Sequence, residues 1–171
     1  AAAGGLAWAF LERGREGNFT NLGVASGIVA GLVAITPGCA FVSPAAAVAI
    51  GAIAGVVCSL AISLKFRFRY DDSLDVVGVH LVGGLVGSIL IGVFASDELS
   101  EGGLLAGEGA GLLFEQIFAN SVTMVFSFVV TFVILKVLHS TMGIRVTEEE
   151  EFQGLDVNEH AETAYNLAER S

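Results

Sequence analysis

The sequence predicts an all-α fold, a polytopic bundle of transmembrane helices, and three observations support this class. Of the 171 residues, 54% are hydrophobic and only 15% are charged, and the mean hydropathy is +0.74. No charged residue occurs between Gly17 and Leu64, a stretch long enough for two crossings, because about 20 apolar residues in a helix cross a bilayer. Small residues also recur at a spacing of four, which lets membrane helices approach closely.

Four complete spans are predicted, at roughly residues 21–42, 43–64, 76–96 and 116–135. The segment Thr36-Pro37-Gly38 separates the first two, because proline and glycine together interrupt helices. The apolar segment 1–11 is too short to cross a membrane, and it lacks the basic start of a signal peptide. We therefore expect the chain to begin inside a helix and to be a fragment of a longer protein.

Rows of small residues predict which helix faces pack closely. The rows are Gly23, Gly27 and Gly31; Ala47, Gly51, Gly55 and Ser59; and, in the third span, Gly83 with Gly87 and Gly84 with Ser88 and Gly92. Such rows are typical of contacts between membrane helices. They predict a tight bundle of helices.

The basic residues predict the orientation in the membrane. In an alternating topology all eight fall on one side: Arg13, Arg15, Lys65, Arg67, Arg69, Lys136, Arg145 and Arg170. The opposite loops, 36–43 and 97–115, contain none. By the positive-inside rule the basic side is cytoplasmic. We therefore expect a multi-pass protein of the cell membrane, with a transmembrane part at residues 1–146 and a cytoplasmic regulatory tail at 147–171.

Charge and cysteine content narrow the classes further. The net charge of −10 argues against a nucleic-acid partner. Cys39 at a turn and Cys58 deep in the next helix are predicted to lie more than about 20 Å apart, too far for a disulfide. We interpret both as small, buried thiols, and we expect no catalytic centre, no cofactor and no metal site.

Two kinds of titratable residue lie at the start of the third span. Asp72 and Asp75 are interpreted as a helix N-cap and a first-turn carboxylate; the functional alternative is that they shape the electrostatics of a pore mouth. His80 lies five residues into an otherwise uncharged span. Its neighbours at a spacing of four are Gly84 and Ser88, which predicts a position on the packed face. Ionisable residues inside membranes usually serve function; the structural alternative is a buried neutral histidine.

Three motifs in order resemble the Amt/Mep ammonium transporter family. Residues 71–80, DDSLDVVGVH, resemble its DDxxDVxGVH signature, and residues 25–39, ASGIVAGLVAITPGC, resemble its sGxxAGLVxxTP stretch. Residues 154–165, GLDVNEHAETAY, resemble its cytoplasmic GLDxxxHxxxAY tail. The resemblance implies an eleven-span fold, of which this chain is the C-terminal portion from late in the seventh span.

The resemblance also implies site residues and partners. His80 matches the second of the family's paired pore histidines, Val76 lies beside it in the pore, and the first histidine and outer gate belong to missing spans. A homotrimer in the lipid bilayer, transport of ammonium or ammonia for nitrogen uptake, and regulation by a PII-type signal protein are implied. The implied regulatory tail residues are Gly154, Asp156, His160 and Tyr165.

Three residues depart from the family pattern, and two other functions remain as alternatives. Leu81 and Ala161 stand where the family commonly has glycine, and Asn158 stands where some plant members carry a phosphorylatable threonine. The alternative function is an ammonium sensor, in which the same membrane fold is coupled to signalling. An Rh-type gas channel is a third possible function, although such proteins typically lack the DDxxDVxGVH motif.

Overall fold

The computed structural model describes residues 1–163, and within them the chain is helical apart from loops and one isolated β-bridge between Val42 and Ala95. The longer helices are α1 (Ala2–Glu16), α2 (Asn21–Ile35), α3 (Pro44–Ala61), α5 (Val82–Phe94) and α6 (Gly111–Thr141). A short helix, α4 (Leu64–Phe68), follows α3. A π-helical turn, Val77–Leu81, precedes α5. Two short helices follow α6, namely α7 (Glu148–Gln153) and α8 (Leu155–His160). The predicted all-α class is confirmed.

Four of the described helical segments are long and apolar enough to cross a membrane: Asn21–Gly38, Pro44–Phe68, Val77–Phe94 and Gly111–Thr141. They match the four predicted spans in number and order. The last helix is longer than predicted, at 31 residues. At 1.5 Å per residue it is about 46 Å long, more than the roughly 30 Å hydrocarbon core. Hydropathy marks only its apolar portion, whereas the backbone hydrogen bonds continue beyond it.

Local sequence signals explain where the first helices begin and end. Thr20 caps α2, since its side chain accepts a hydrogen bond from the Gly23 amide at 2.9 Å. Ser43 caps α3 in the same way, with Pro44 in the first turn where its missing N–H is tolerated. Between them Thr36–Gly38 forms a 3₁₀ turn. The predicted interruption at Thr36-Pro37-Gly38 is therefore confirmed.

The chain forms two compact units, Ala1–Thr123 and Met124–Ser171. In the first unit α1 packs against both α2 and α3 at glycines. A Cβ on Gly4 would lie 2.5 Å from the Gly27 carbonyl oxygen, and one on Gly55 would overlap the Gly4 backbone. The predicted rows on α2 and on α3 are therefore close-packed, because only glycine permits these approaches.

Two clusters of buried side chains form the core of this unit. One contains Trp8, Ala30, Cys58 and Val79, and the other contains Ala34, Val42, Ile50 and Ala54. The first cluster includes the π-helical turn through Val79, which is 4% exposed. The core therefore holds the residue immediately before His80 in place.

The second unit contains the rest of α6 and the tail helices. No residue of α6 is buried by the described part of the chain. Thr147 caps α7 in a capping box, in which the Glu150 amide donates to the Thr147 hydroxyl and the Thr147 amide donates to the Glu150 carboxylate. Gly154 separates α7 from α8. The boundary expected at 146/147 falls between α6 and α7 and stays a prediction.

Candidate functional site around His80

Asp72 caps the helical segment that carries His80. Its two carboxylate oxygens accept hydrogen bonds from the Val76 amide at 2.8 Å and the Val77 amide at 2.9 Å. Amides in the first turn of a helix have no partner within the helix, so a carboxylate there satisfies them and also interacts favourably with the helix dipole. Asp72 therefore has the predicted capping role, but it acts from four and five residues before the amides that it binds. The N-cap position itself belongs to Asp75, whose carbonyl accepts the first helical hydrogen bond, from the Val79 amide.

Asp75 lies elsewhere than predicted. It immediately precedes the first turn, with a backbone φ of 56° in the left-handed region, and its carboxylate binds Lys65 Nζ at 2.7 Å. The prediction of a first-turn carboxylate was wrong. The chain turns sharply here, and an aspartate tolerates the left-handed conformation better than most residues. This turn directs the carboxylate to the lysine, away from the amides.

The segment Val77–Leu81 forms a π-helical turn, closed by a hydrogen bond from the Val82 amide to the Val77 carbonyl. Such turns are rare, and they occur mostly as single insertions at functional sites. A Cβ on Gly78 would lie 2.8–3.0 Å from atoms of Ile62, at the end of α3. The turn thus begins where the two backbones meet closely. Nothing in the sequence distinguishes a π-helical turn from an α-helical one.

His80 lies on an exposed face of this chain, not on the packed face. The packed row is Val79, Gly83, Gly87 and Ile91. A Cβ on Gly87 would overlap the Ala34 carbonyl, whereas one on Gly84 would meet nothing within 4 Å. In the row of His80, Gly92 is buried, since a Cβ there would overlap the backbone of Leu113. A packed position for His80 itself in the complete protein stays a prediction.

Around His80 itself, this face is left open by the residues that the structure describes. Val76, four residues before His80, is 50% exposed, and Leu81 beside it is 46% exposed. On the opposite side of the turn the Cys58 thiol lies 3.8 Å from the Val79 carbonyl, as a weak sulfur hydrogen bond. The imidazole is thus presented by a turn whose back is fixed in the core.

The loops of the first unit separate by charge. Arg15 and Glu16 at the end of α1 line a cavity together with Ser63 and Phe66, so the basic last turn of α1 and the basic helix α4 share one end. At the other end the Ser96 amide donates to the Phe41 carbonyl at 2.8 Å. This arrangement agrees with the alternation on which the predicted orientation depends. The orientation itself stays a prediction.

The tail contains an ion pair and a glycine turn. Arg145 Nε contacts the Glu151 carboxylate at 2.7 Å, and this hydrogen bond lowers the pKa of Glu151. The hydrogen bond from the Thr147 amide lowers the pKa of Glu150. Gly154 has φ 110° and ψ 130°, a conformation that L side chains rarely adopt. Asp156 and His160 are exposed in α8, and Tyr165 lies outside the described residues.

Two side chains that hold the first unit together, Glu12 and Lys65, could not be identified as such from the sequence. In the sequence Lys65 indicates only the membrane orientation, whereas in the structure it pairs with Asp75. Glu12 accepts hydrogen bonds from the Thr20 amide and hydroxyl at 3.1 and 2.7 Å and ties α1 to α2. Of the two cysteines, Cys58 is buried as predicted and Cys39 is exposed, so that prediction was wrong. These partners are distant in sequence, and no local pattern signals them.

Comparisons with known proteins agree with the motifs. The profile of the Ammonium Transporter Family matches residues 1–165. An ammonium transporter of Mycobacterium tuberculosis is 47% identical over 175 residues, covering 98% of this chain and 37% of the relative. This chain therefore spans little more than a third of that protein's length.

Solved structures share the fold. The crystal structure of Candida albicans Mep2 has a TM-score of 0.80 and 32% identity, over 87% of this chain and 35% of that one. A structure titled "Sensor Amt Protein" has a TM-score of 0.81 and 30% identity, over 92% and 39%. The match of sequence profile, relatives and helical architecture over nearly the whole chain leads to one conclusion: this chain belongs to the ammonium transporter family.

Proposed function

We propose that this chain is the C-terminal part of a membrane transporter or channel that conducts ammonium or ammonia through a hydrophobic pore, lined in part by His80 and Val76. The observation that carries the proposal is an exposed imidazole in the first turns of an apolar span. Its helix end is capped by Asp72. The match covers only 37% of the relative from Mycobacterium tuberculosis, and we propose that the counterpart of the uncovered part lies against that face. The relatives are named transporters, and we propose no enzymatic step.

The chemistry of a histidine suits this substrate. Bringing a charged ammonium or potassium ion into an apolar lumen is costly, whereas neutral ammonia enters at little cost. An imidazole titrates near neutrality, so a pair of them can accept hydrogen bonds from the guest and relay its proton. Ammonium that loses its proton can then cross, while potassium, which has no proton to lose, stays outside.

Transport is tested on the complete protein in proteoliposomes. Ammonium added outside is expected to produce a current or a change in internal pH, and potassium at the same concentration is expected to produce none. Ammonium binding without any flux would favour the alternative, a sensor, which we retain because the structure titled "Sensor Amt Protein" is similar to this chain. Equal flux of ammonium and potassium would contradict a deprotonating pore.

The orientation of the chain in the membrane can be tested by cysteine labelling. We propose that the C-terminus is cytoplasmic, because the basic loops share one end. A cysteine at Glu98, an exposed position in the loop after α5, should react with an impermeant maleimide in intact cells, and a cysteine at Gly14 should react only after permeabilisation. A Cys39→Ser and Cys58→Ser background removes the native thiols. Labelling of the Gly14 site in intact cells would reverse the topology.

We further propose that the protein is a homotrimer and that its tail couples the cytoplasmic face to a PII-type signal protein. The tail is acidic, whereas the last turn of α1 and the short helix α4 are basic, and opposite charges give an attraction that salt should weaken. The left-handed Gly154 supports a defined turn between α7 and α8. Asp156, His160 and Tyr165, which follow this turn in the sequence, are the proposed docking residues.

The proposed role of the tail is tested by replacing Gly154, whose backbone conformation is readily adopted only by glycine. Gly154→Asp should lower transport severalfold at equal membrane abundance, because φ 110° is strained for any side chain. Gln153→Glu is the matched control, since it adds the same charge at the end of α7 without that strain. Deletion of residues 146–171 should weaken PII binding. If Gly154→Asp and the deletion both behave like the intact protein at equal membrane abundance, the tail is only a solvated acidic end.

A further inference from the structure

We propose that Lys65 is a positioning residue for the segment that carries His80. It bridges two aspartates that together fix the first turn. This inference rests on the proposed role of His80 and adds a residue from the preceding helix to it. Lys65 belongs to α4, ten residues before its acidic partner.

The contacts of Lys65 form a clamp, which we define as Lys65 with Asp72 and Asp75. Lys65 Nζ donates to the Asp75 carboxylate at 2.7 Å and to the Asp72 carbonyl at 3.1 Å. The two charged side chains are largely shielded, at 19% and 28% exposure. The ammonium therefore holds both ends of the tight turn 72–75 at once.

The clamp reaches the pore segment through backbone hydrogen bonds. The Asp72 carboxylate accepts from the Val76 and Val77 amides, and the Asp75 carbonyl accepts from the Val79 amide at 2.8 Å. Val77 is the first residue of the π-helical turn, and His80 follows Val79 directly. The clamp residues thus bind three of the four amides that immediately precede His80.

The backbone conformation of Asp75 is one that needs support from its surroundings. A non-glycine residue at φ 56° is costly, and it persists only where the surroundings hold it. The ion pair with Lys65 offsets that cost. It also neutralises the Asp75 carboxylate, so Asp75 acts through the position of the helix and does not attract cations to a pore mouth.

A double-mutant cycle in the complete protein tests the clamp. Lys65→Met removes the ammonium and keeps the aliphatic stem, while Asp75→Asn keeps the side-chain length and tolerates the left-handed backbone. Lys65→Arg is the conservative variant. Arg67→Met is the control for charge. It removes a positive charge from an exposed position, two residues after Lys65.

Two readouts separate positioning from general stability. In Lys65→Met the amides of the segment 74–80 should exchange hydrogen about fivefold faster, and the preference for ammonium over potassium should fall about fivefold. The double variant should be no worse than the worse single variant. Lys65→Arg should restore the selectivity, and Arg67→Met should keep it.

The outcomes distinguish this inference from the proposed function. If His80→Ala destroys selectivity while Lys65→Met changes neither exchange nor selectivity, the clamp is wrong and the pore histidine stands. Additive effects of Lys65→Met and Asp75→Asn would also overturn the clamp. If Lys65→Met speeds exchange but His80→Ala leaves transport unchanged, the clamp holds the turn, and the proposed role of His80 is wrong.

Discussion

Replacing His80 by alanine in the complete transporter is expected to abolish ammonium transport or its selectivity over potassium, while the assembled protein still forms. A positioned proton-transfer group typically contributes about 10²–10⁴-fold to a rate, so we expect transport at least about a hundredfold lower. The alternative result is a pore that conducts without removing the proton. In that case flux persists, but potassium is no longer excluded.

His139 is the matched control for this experiment. It is a second histidine, exposed in the last turn of α6, and its replacement by alanine should leave flux and selectivity as they are. Ammonium-driven current, potassium-driven current and oligomeric state would be measured on both variants at equal reconstituted amounts. Unchanged uptake with unchanged potassium exclusion in His80→Ala would make His80 a structural residue only.

Gly87→Ala is expected to have the largest effect on stability. A Cβ at this position would overlap the carbonyl of Ala34, a backbone atom that cannot move aside as a flexible side chain can. Overpacking of this kind costs about 1–3 kcal/mol, and here it would separate α5 from α2. Because the packed row includes Gly83 and Val79, the displacement should also reach the turn before His80.

Gly14→Ala provides the control, because it makes the same substitution in a helix where a Cβ meets nothing within 4 Å. Alanine is favoured over glycine inside helices by up to about 1 kcal/mol, so this variant should be unchanged or slightly more stable. Thermal unfolding of the detergent-solubilised protein, followed by size-exclusion chromatography, compares the two. Equal unfolding temperatures would contradict the close crossing of α5 and α2.

Much of the site could be predicted from its local sequence. The aspartate at position 72 ahead of an apolar run predicted the cap, and Thr36-Pro37-Gly38 predicted the end of α2, since both effects act within a few residues. The position of Asp75 could not be predicted in this way. Its conformation depends on an ion pair with Lys65, a residue on another helix. Sequence spacing alone also allowed two candidate packed rows on α5.

The sequence by itself determined the fold class, the number and order of the spans and the family, because hydropathy, small-residue rows and motif wording are properties of short segments. Only the tertiary structure decided which glycines of α5 meet neighbouring helices of this chain, since that depends on the backbone of Ala34 meeting Gly87 and the backbone of Leu113 meeting Gly92. It also decided that the backbone before His80 forms a π-helical turn and that a lysine from α4 secures it. These are contacts between segments distant in the chain, and their energies depend on geometry that no local pattern encodes.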